Sequence, residues 1–121
     1  MDTAMDYDVH TQVSFLLALP DVQSEFTKHV QNVFQKDNTL GSYIQGDLTF
    51  RFDGRRVRLD YTFSCHDENA EEAESFSDYC LQGVRKDLES FGCKMTQVQC
   101  TAEEADMAWL DQMEAAIFGP Q

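Results

Sequence analysis

The sequence is poor in basic residues: nine Lys and Arg stand against 22 Asp and Glu, which gives a formal net charge of −13 over 121 residues. Non-specific binding to nucleic acid needs basic side chains that displace counterions from phosphates, and an anionic membrane surface attracts basic segments in the same way. The composition therefore argues against direct nucleic-acid binding and against a membrane surface. It suits a basic protein partner, or solubility alone.

The sequence also lacks a secretion signal and a membrane-spanning run. The opening MDTAMDYDV is acidic, whereas a signal peptide begins with a basic region followed by an apolar one. No apolar stretch approaches the roughly 20 residues that cross a bilayer. We therefore expect a cytoplasmic protein, in which Cys65, Cys80, Cys93 and Cys100 are reduced thiols.

Proline and glycine are scarce, with two and six residues respectively, which excludes a collagen-like or low-complexity chain. The hydrophobic fraction of 42% and the aromatic fraction of 12% are sufficient for one packed core. The length and composition predict a single acidic domain over residues 1–121, and the element order derived below makes it α+β.

Motifs for catalysis and for cofactors are missing. There is no nucleophile elbow, P-loop or dinucleotide fingerprint, and the Cys and His residues do not have zinc-site spacing. A metal site built from Cys65, His66, Asp67 and other cysteines is therefore disfavoured. We expect no cofactor, no metal and no enzymatic activity, with a base-and-orienter pair of His10 and Asp60 as the alternative.

The first predicted element is a strand, because apolar residues share one parity from Tyr7 to Leu19. The run FLLAL within it is also compatible with a helix. Pro20 ends the strand and suits the first turn of a helix. That helix is predicted to end before Asp37 and Gly41. Its apolar face consists of Val22, Phe26, Val30 and Val33.

The segment TFRFDGRRVRLDYTF predicts a hairpin. Asp53-Gly54 suits a two-residue type I′ turn, which would place Arg51 opposite Arg56. Residues of one parity then face inward together, and the other parity faces outward. The inward residues are Leu48, Phe50, Val57, Leu59, Tyr61 and Phe63, and the outward ones are Thr49, Arg51, Arg56 and Arg58.

Two further helices and a strand complete the prediction. Asn69 and Glu72 form a capping-box pattern before a second helix, and Gly92 suits its C-terminal end. The strand CKMTQVQC follows. Thr101 and Glu104 repeat the capping-box pattern, which predicts a last helix. Its apolar residues are Ala105, Trp109, Leu110, Met113 and Ile117.

The predicted element order is β-α-β-β-α-β-α. Its first six elements resemble the ferredoxin-like βαββαβ motif. This resemblance implies an α+β two-layer sandwich with an antiparallel sheet of order 4-1-3-2 and an extra C-terminal helix. The fold hosts many unrelated functions and so implies none. Because Trp and Met are enriched at interfaces, a homodimer through the last helix is an alternative.

The hairpin arginines are the first candidate site. Like charges directly opposite each other destabilise a sheet, so an anion beside Arg51, Arg56 and Arg58 would be favourable. Acids on the same face, such as Asp60, could satisfy them internally. Guanidinium groups also bind carboxylates and phosphates, and the second interpretation is therefore an anion- or partner-binding patch.

The acidic helices are the second candidate site. The windows DENAEEAESFSD and EEADMAWLDQME hold acids and no bases. Such acids often form a solvated helix face, but a row of carboxylates can also occupy a basic groove in place of DNA. The candidate partner-binding residues are Glu68, Glu71, Glu72, Glu74, Asp78, Glu103 and Asp106.

Two functional expectations follow. The leading one is a non-catalytic inhibitor or antagonist whose protein partner has a basic groove. That partner would be a nucleic-acid-processing complex, and the inhibitor a DNA mimic of the anti-restriction or anti-CRISPR type that phages encode. The alternative is a small regulatory domain that binds an anionic metabolite on the open face of the sheet.

Overall fold

The computed structural model describes residues 4–36 and 40–105. These residues form an α+β domain with four strands, two helices and a 3₁₀ turn at Gly41–Tyr43. In chain order the elements are β1 (Met5–Leu17), α1 (Gln23–Lys36), β2 (Ile44–Asp53), β3 (Arg56–Asp67), α2 (Ala70–Glu89) and β4 (Cys93–Glu104).

The strands form one antiparallel sheet in the order β2-β3-β1-β4. This is the predicted order 4-1-3-2 read from the opposite edge, so the ferredoxin-like fold is confirmed. α2 lies over β1, β3 and β4, and α1 lies against α2 and β2. The predicted C-terminal helix falls beyond Ala105, outside the described residues.

The alternation in β1 has the predicted consequence. Every second residue from Tyr7 to Leu17 is buried, and those between them are exposed or half-buried. The strand ends at Leu17, however, and Leu19 is 61% exposed. Pro20 lies in a bend and α1 begins at Gln23, so the predicted helix start was three residues early.

Aromatic rings fill the core between the sheet and the helices. The ring of Phe26 on α1 makes edge-to-face contacts with Phe15, Phe50 and Phe91, at centroid distances of 5.3, 6.3 and 5.5 Å. α1 buries Phe34 on the same side, whereas the predicted core residue Val33 is only half-buried. This packing covers one face of the sheet and determines which side chains lie on the other.

The hairpin has a different register from the predicted one. The turn residues are Gly54 and Arg55, and Gly54 alone has a positive φ, of 59°. A positive φ at the first central position only matches a type II′ turn. Arg51 therefore lies opposite Arg58 and not Arg56. The partner shifts by two residues, so each side chain keeps its predicted face.

The predicted second capping box is wrong, because Thr101 and Glu104 belong to β4. β1 begins at Met5, and its first residues give this segment a pairing partner: Tyr7 lies opposite Glu104 and His10 opposite Thr101. The first capping prediction is confirmed at its N-cap, since the side chain of Asn69 accepts the N–H of Glu72 at 2.9 Å.

Candidate functional site

A hollow of about 530 Å³ lies on the sheet face opposite the helices, which we call the open face. Arg51 comes from β2 and Arg56 and Arg58 from β3, and the type II′ turn places all three beside the end of β1. We call this hollow the arginine groove. Its lining consists of Ser14, Phe15, Leu16, Arg51, Phe52, Asp53, Arg56, Val57, Arg58, Thr96 and Gln97.

The three arginines differ in their ionic partners. Arg58 Nε lies 3.2 Å from Asp60 Oδ2, and both side chains are partly exposed. Within residues 4–36 and 40–105, Arg51 and Arg56 form no ion pair, although Asp53 is the cross-strand neighbour of Arg56. The groove therefore presents two guanidinium groups with unused donors, which suits a carboxylate or a phosphate.

The sequence alone did not identify the other walls of the arginine groove. Ser14 on β1 lies directly opposite Arg58, and Gln97 on β4 lies opposite Ser14. The outward parity of Ser14 was a usable signal. The position of Gln97 was not predictable, because it depends on a register shift between β1 and β4 beside Ser14 and Phe15.

The opposite end of the open face is acidic. His66 Nδ1 lies 3.0 Å from Asp6 Oδ1, His10 Nε2 lies 3.2 Å from Glu103 Oε1, and Asp8 accepts a hydrogen bond from Ser64 at 2.6 Å. The open face thus has a basic end and an acidic end.

The candidate base-and-orienter pair is not formed. Asp60 lies opposite Gln12 and pairs with Arg58, whereas the imidazole of His10 contacts Glu103.

The predicted acidic site is divided by the fold. Glu71, Glu74 and Asp78 on α2 line a hollow of about 500 Å³ between this helix and β4, which we call the acidic groove. Its other described lining residues are Ser75, Val98 and Cys100.

The other predicted acids lie elsewhere. Glu68 and Glu72 are exposed at the start of α2. Glu103 lies on β4 and contacts His10 of β1. Asp106 lies outside the described residues.

A small polar cluster is buried between the sheet and α2. The hydroxyls of Thr11 and Ser77 are 3.0 Å apart, and that of Thr11 also contacts the carbonyl of Val9 at 3.4 Å. The hydroxyl of the neighbouring Tyr61 is buried without a hydrogen-bond partner in the described part of the chain. Burial and the nearby Cys100 raise the pKa of Tyr61, so this phenol stays protonated and neutral.

All four cysteines carry free thiols. Burial, followed by the charge of Asp67, raises the pKa of Cys65 from 9.0 to about 11. Burial and Glu89 raise the pKa of Cys93 to about 11 as well. Thiolates are the reactive and metal-binding form, so these thiols are inert near neutral pH. Among the described side chains, no group of three His, Cys, Asp or Glu residues is arranged to hold a metal ion.

Two further features bear on function. A hollow of about 560 Å³ lies between α1 and β2, but Asp47 is the one ionisable residue in its described lining. Neither of the two described helices is long and apolar enough to cross a bilayer.

No protein-family model matches the sequence, and no curated protein is significantly similar to it. Among solved structures, MupZ from Pseudomonas fluorescens is 13% identical, with a TM-score of 0.45 over 94% of this chain and 86% of its own. A putative antibiotic biosynthesis monooxygenase from Bordetella bronchiseptica is 15% identical, with a TM-score of 0.43 over 80% of this chain and 95% of its own.

A monooxygenase from the gene ActVA-Orf6 of Streptomyces coelicolor, in complex with Nanaomycin D, is 16% identical. Its TM-score is 0.43, over 79% of this chain and 85% of its own. These similarities do not establish an enzymatic activity for this chain. The activities in the names belong to those proteins, and the fold assignment rests on the strand order and register described above.

Proposed function

We propose that this chain is a small binding domain whose arginine groove takes an anionic ligand. The observation that carries the proposal is that Arg51, Arg56 and Arg58 line one hollow on the open face. Arg51 and Arg56 have no ion-pair partner among the described residues. A ligand carboxylate or phosphate would supply the missing charge and relieve the repulsion between the arginines.

The groove also suggests what the ligand looks like. Its volume of about 530 Å³ is within the range of roughly 300–1,000 Å³ that is usual for small-molecule sites. The half-buried Leu16 and Phe52 contribute apolar surface beside the arginines, whereas Phe15 and Val57 are buried. The ligand that fits this lining combines an anionic group with an apolar body. The formal net charge of −13 opposes its approach only weakly, because salt screens the charges that lie more than about 8 Å away at physiological ionic strength.

A thermal-shift screen with phosphate esters and apolar carboxylates tests this proposal. Ligands that bind the native state raise the unfolding temperature in a concentration-dependent way. We expect the shift to be lost in Arg51→Ala and Arg56→Ala. Lys28→Ala is the matched control, since it removes one exposed positive charge on α1. Equal shifts in all three variants would show that the ligand does not bind in the groove.

A second function is supported by the acidic groove. Glu71, Glu74 and Asp78 lie together beside β4, and the described lining of this groove holds no basic residue. Glu68 and Glu72 extend the negative surface to the start of α2. Such a surface is complementary to the basic groove of a nucleic-acid-processing protein. The chain would then be an inhibitor of the anti-restriction or anti-CRISPR type that mimics DNA.

DNA-cleavage assays with restriction enzymes and Cas effector complexes test this second function. We expect the chain to slow cleavage at low salt, and a variant with Glu68, Glu71 and Glu72 each changed to Gln to lose the effect. Glu74 is left unchanged because it also accepts a backbone hydrogen bond from Ala102. Inhibition that survives the three substitutions and high salt would rule out DNA mimicry by this surface.

A further inference from the structure

β4 is an edge strand, since β1 is its one neighbour in the described sheet. Ala102 donates its N–H to Glu74 Oε1 at 3.0 Å, so this N–H points away from β1. Main-chain groups alternate in direction along an antiparallel strand. Cys100 and Val98, which lie opposite Thr11 and Val13, therefore also direct their N–H and C=O groups outward.

Side chains from α2 cover the two ends of this edge. At one end Glu89 accepts the N–H of Met95 at 2.9 Å, and Arg85 reaches the Met95 carbonyl at 3.5 Å. At the other end Glu74 accepts the N–H of Ala102. Between them, the outward groups of Val98 and Cys100 have no hydrogen-bond partner within the described ranges. Such an open stretch is a template for another strand.

The acidic groove runs beside this open stretch, because Val98 and Cys100 are part of its lining with Glu71, Glu74 and Asp78. A strand added to β4 would place alternate side chains toward these carboxylates. Basic side chains at those positions would be attracted, and acidic ones repelled.

We propose that the edge of β4 between Gln97 and Thr101 binds an extended basic segment of a partner protein by β-strand addition. This inference rests on the second proposed function and names the mode of binding. Main-chain hydrogen bonds to Val98 and Cys100 would give affinity, and the acidic groove would select basic side chains.

Charge argues against the two other occupants of this edge. A second copy of the chain carries the same net charge of −13 and would bring a second set of carboxylates to the groove. Residues 106–121 of the same chain hold Asp106, Asp111 and Glu114 and no Lys or Arg. Both occupants would therefore meet like charge at the acidic groove.

The test uses the full chain and a capped peptide of alternating Lys and Val as the probe. Binding is measured by fluorescence anisotropy, and amide hydrogen exchange follows Val98 and Cys100. The same peptide with an N-methyl group on every residue keeps its charge but loses the N–H donors on both of its edges. In the protein, Val98→Pro removes an outward N–H, which an edge strand tolerates, and Val98→Thr is the control that keeps it.

We expect the N-methylated peptide and the Val98→Pro variant each to weaken binding about tenfold, which corresponds to the loss of one or two hydrogen bonds. Val98→Thr should bind as the unchanged chain does, and the amides of Val98 and Cys100 should become protected when the peptide binds. The peptide comparison needs no change in the protein, so it remains decisive if Val98→Pro fails to fold.

Three outcomes would overturn the inference. Equal binding of the methylated peptide would exclude strand addition while leaving an acidic partner surface in place. No binding of either peptide at low salt would contradict the acidic partner surface as well. Protection of both amides in the free chain would show that the edge is already covered. If deletion of residues 106–121 removes that protection, this segment covers the edge. If the protection depends on the protein concentration, a second copy of the chain covers it.

Discussion

Arg51 lies directly opposite Arg58 across the β2–β3 pair, on the open face of the sheet. Arg58 is partly neutralised by Asp60 at 3.2 Å, whereas Arg51 has no ion-pair partner among the described residues. A sheet seldom gains stability from two like charges in this position. The repulsion between the two guanidinium groups therefore destabilises the free protein and favours the binding of an anion.

Removing one of these charges should stabilise the unliganded protein. We expect Arg51→Thr to raise the free energy of unfolding by about 0.2–1 kcal/mol, because like charges directly opposite are destabilising and Thr suits a strand. Urea unfolding in an anion-poor buffer measures the change. Arg51→Lys keeps the charge and should give no gain. A loss of stability in Arg51→Thr would show that Arg51 already has a stabilising partner in the free protein.

The buried hydroxyl of Tyr61 should be dispensable for stability. It has no hydrogen-bond partner among the described residues, so Tyr61→Phe removes an unsatisfied polar group. We expect no loss, or a gain of up to about 1 kcal/mol. Thr11→Val is the informative contrast, because it leaves Ser77 without the partner that lies 3.0 Å away, and it should cost about 1–3 kcal/mol. A large loss in Tyr61→Phe would mean that the hydroxyl has a partner, such as the nearby Thr11 hydroxyl or a buried water.

The sequence predicted the facing of side chains correctly where a periodic apolar pattern lies on a buried face. The alternation of β1 predicted its buried face from Tyr7 to Leu17, but the strand begins and ends two residues earlier than predicted, at Met5 and Leu17. The hairpin was predictable in its facing but not in its register. Asp53-Gly54 and Gly54-Arg55 are both acceptable turn pairs. With Gly54-Arg55 as the turn, the carbonyl of Arg55 accepts the N–H of Leu17 at 2.7 Å, which continues the pairing of β1 with β3.

Long-range pairing explains the errors at the candidate sites. The capping signal at Thr101 is local, but the first residues of β1 offer this segment a full antiparallel partner. Glu103 therefore joins His10 on the open face and is separated from the acids of α2. The arginine groove was predictable in its three arginines, since parity alone places them together. Its closure by Thr96 and Gln97 depends on β4, which lies far along the chain.

The N-cap of α2 should contribute measurably to stability. Asn69 Oδ1 accepts the N–H of Glu72 at 2.9 Å, and Asn69→Ala leaves that donor without its partner. We expect a loss of about 1 kcal/mol in the free energy of unfolding. Asn69→Asp keeps the acceptor and adds a negative charge at the positive end of the helix dipole, so it should be neutral or slightly stabilising. Equal losses in both variants would show that the side-chain amide of Asn69 has a different role.

The cysteines should make the protein less stable in alkali. Burial and Glu89 raise the pKa of Cys93 from 9.0 to about 11, so the folded state keeps a proton that the unfolded state releases. The stability that this thiol contributes is complete below about pH 9 and is lost as the pH rises toward about 11.

Cys93→Ser removes the titrating group while its hydroxyl can still donate to the Leu88 carbonyl, which the thiol contacts at 3.3 Å. Urea unfolding between pH 8 and pH 11, with all thiols kept reduced, should therefore show a smaller loss in Cys93→Ser. Parallel curves for the two proteins would mean that the Cys93 thiol ionises equally well in the folded and unfolded states, and that the loss comes from other groups, such as Cys65 and Tyr61.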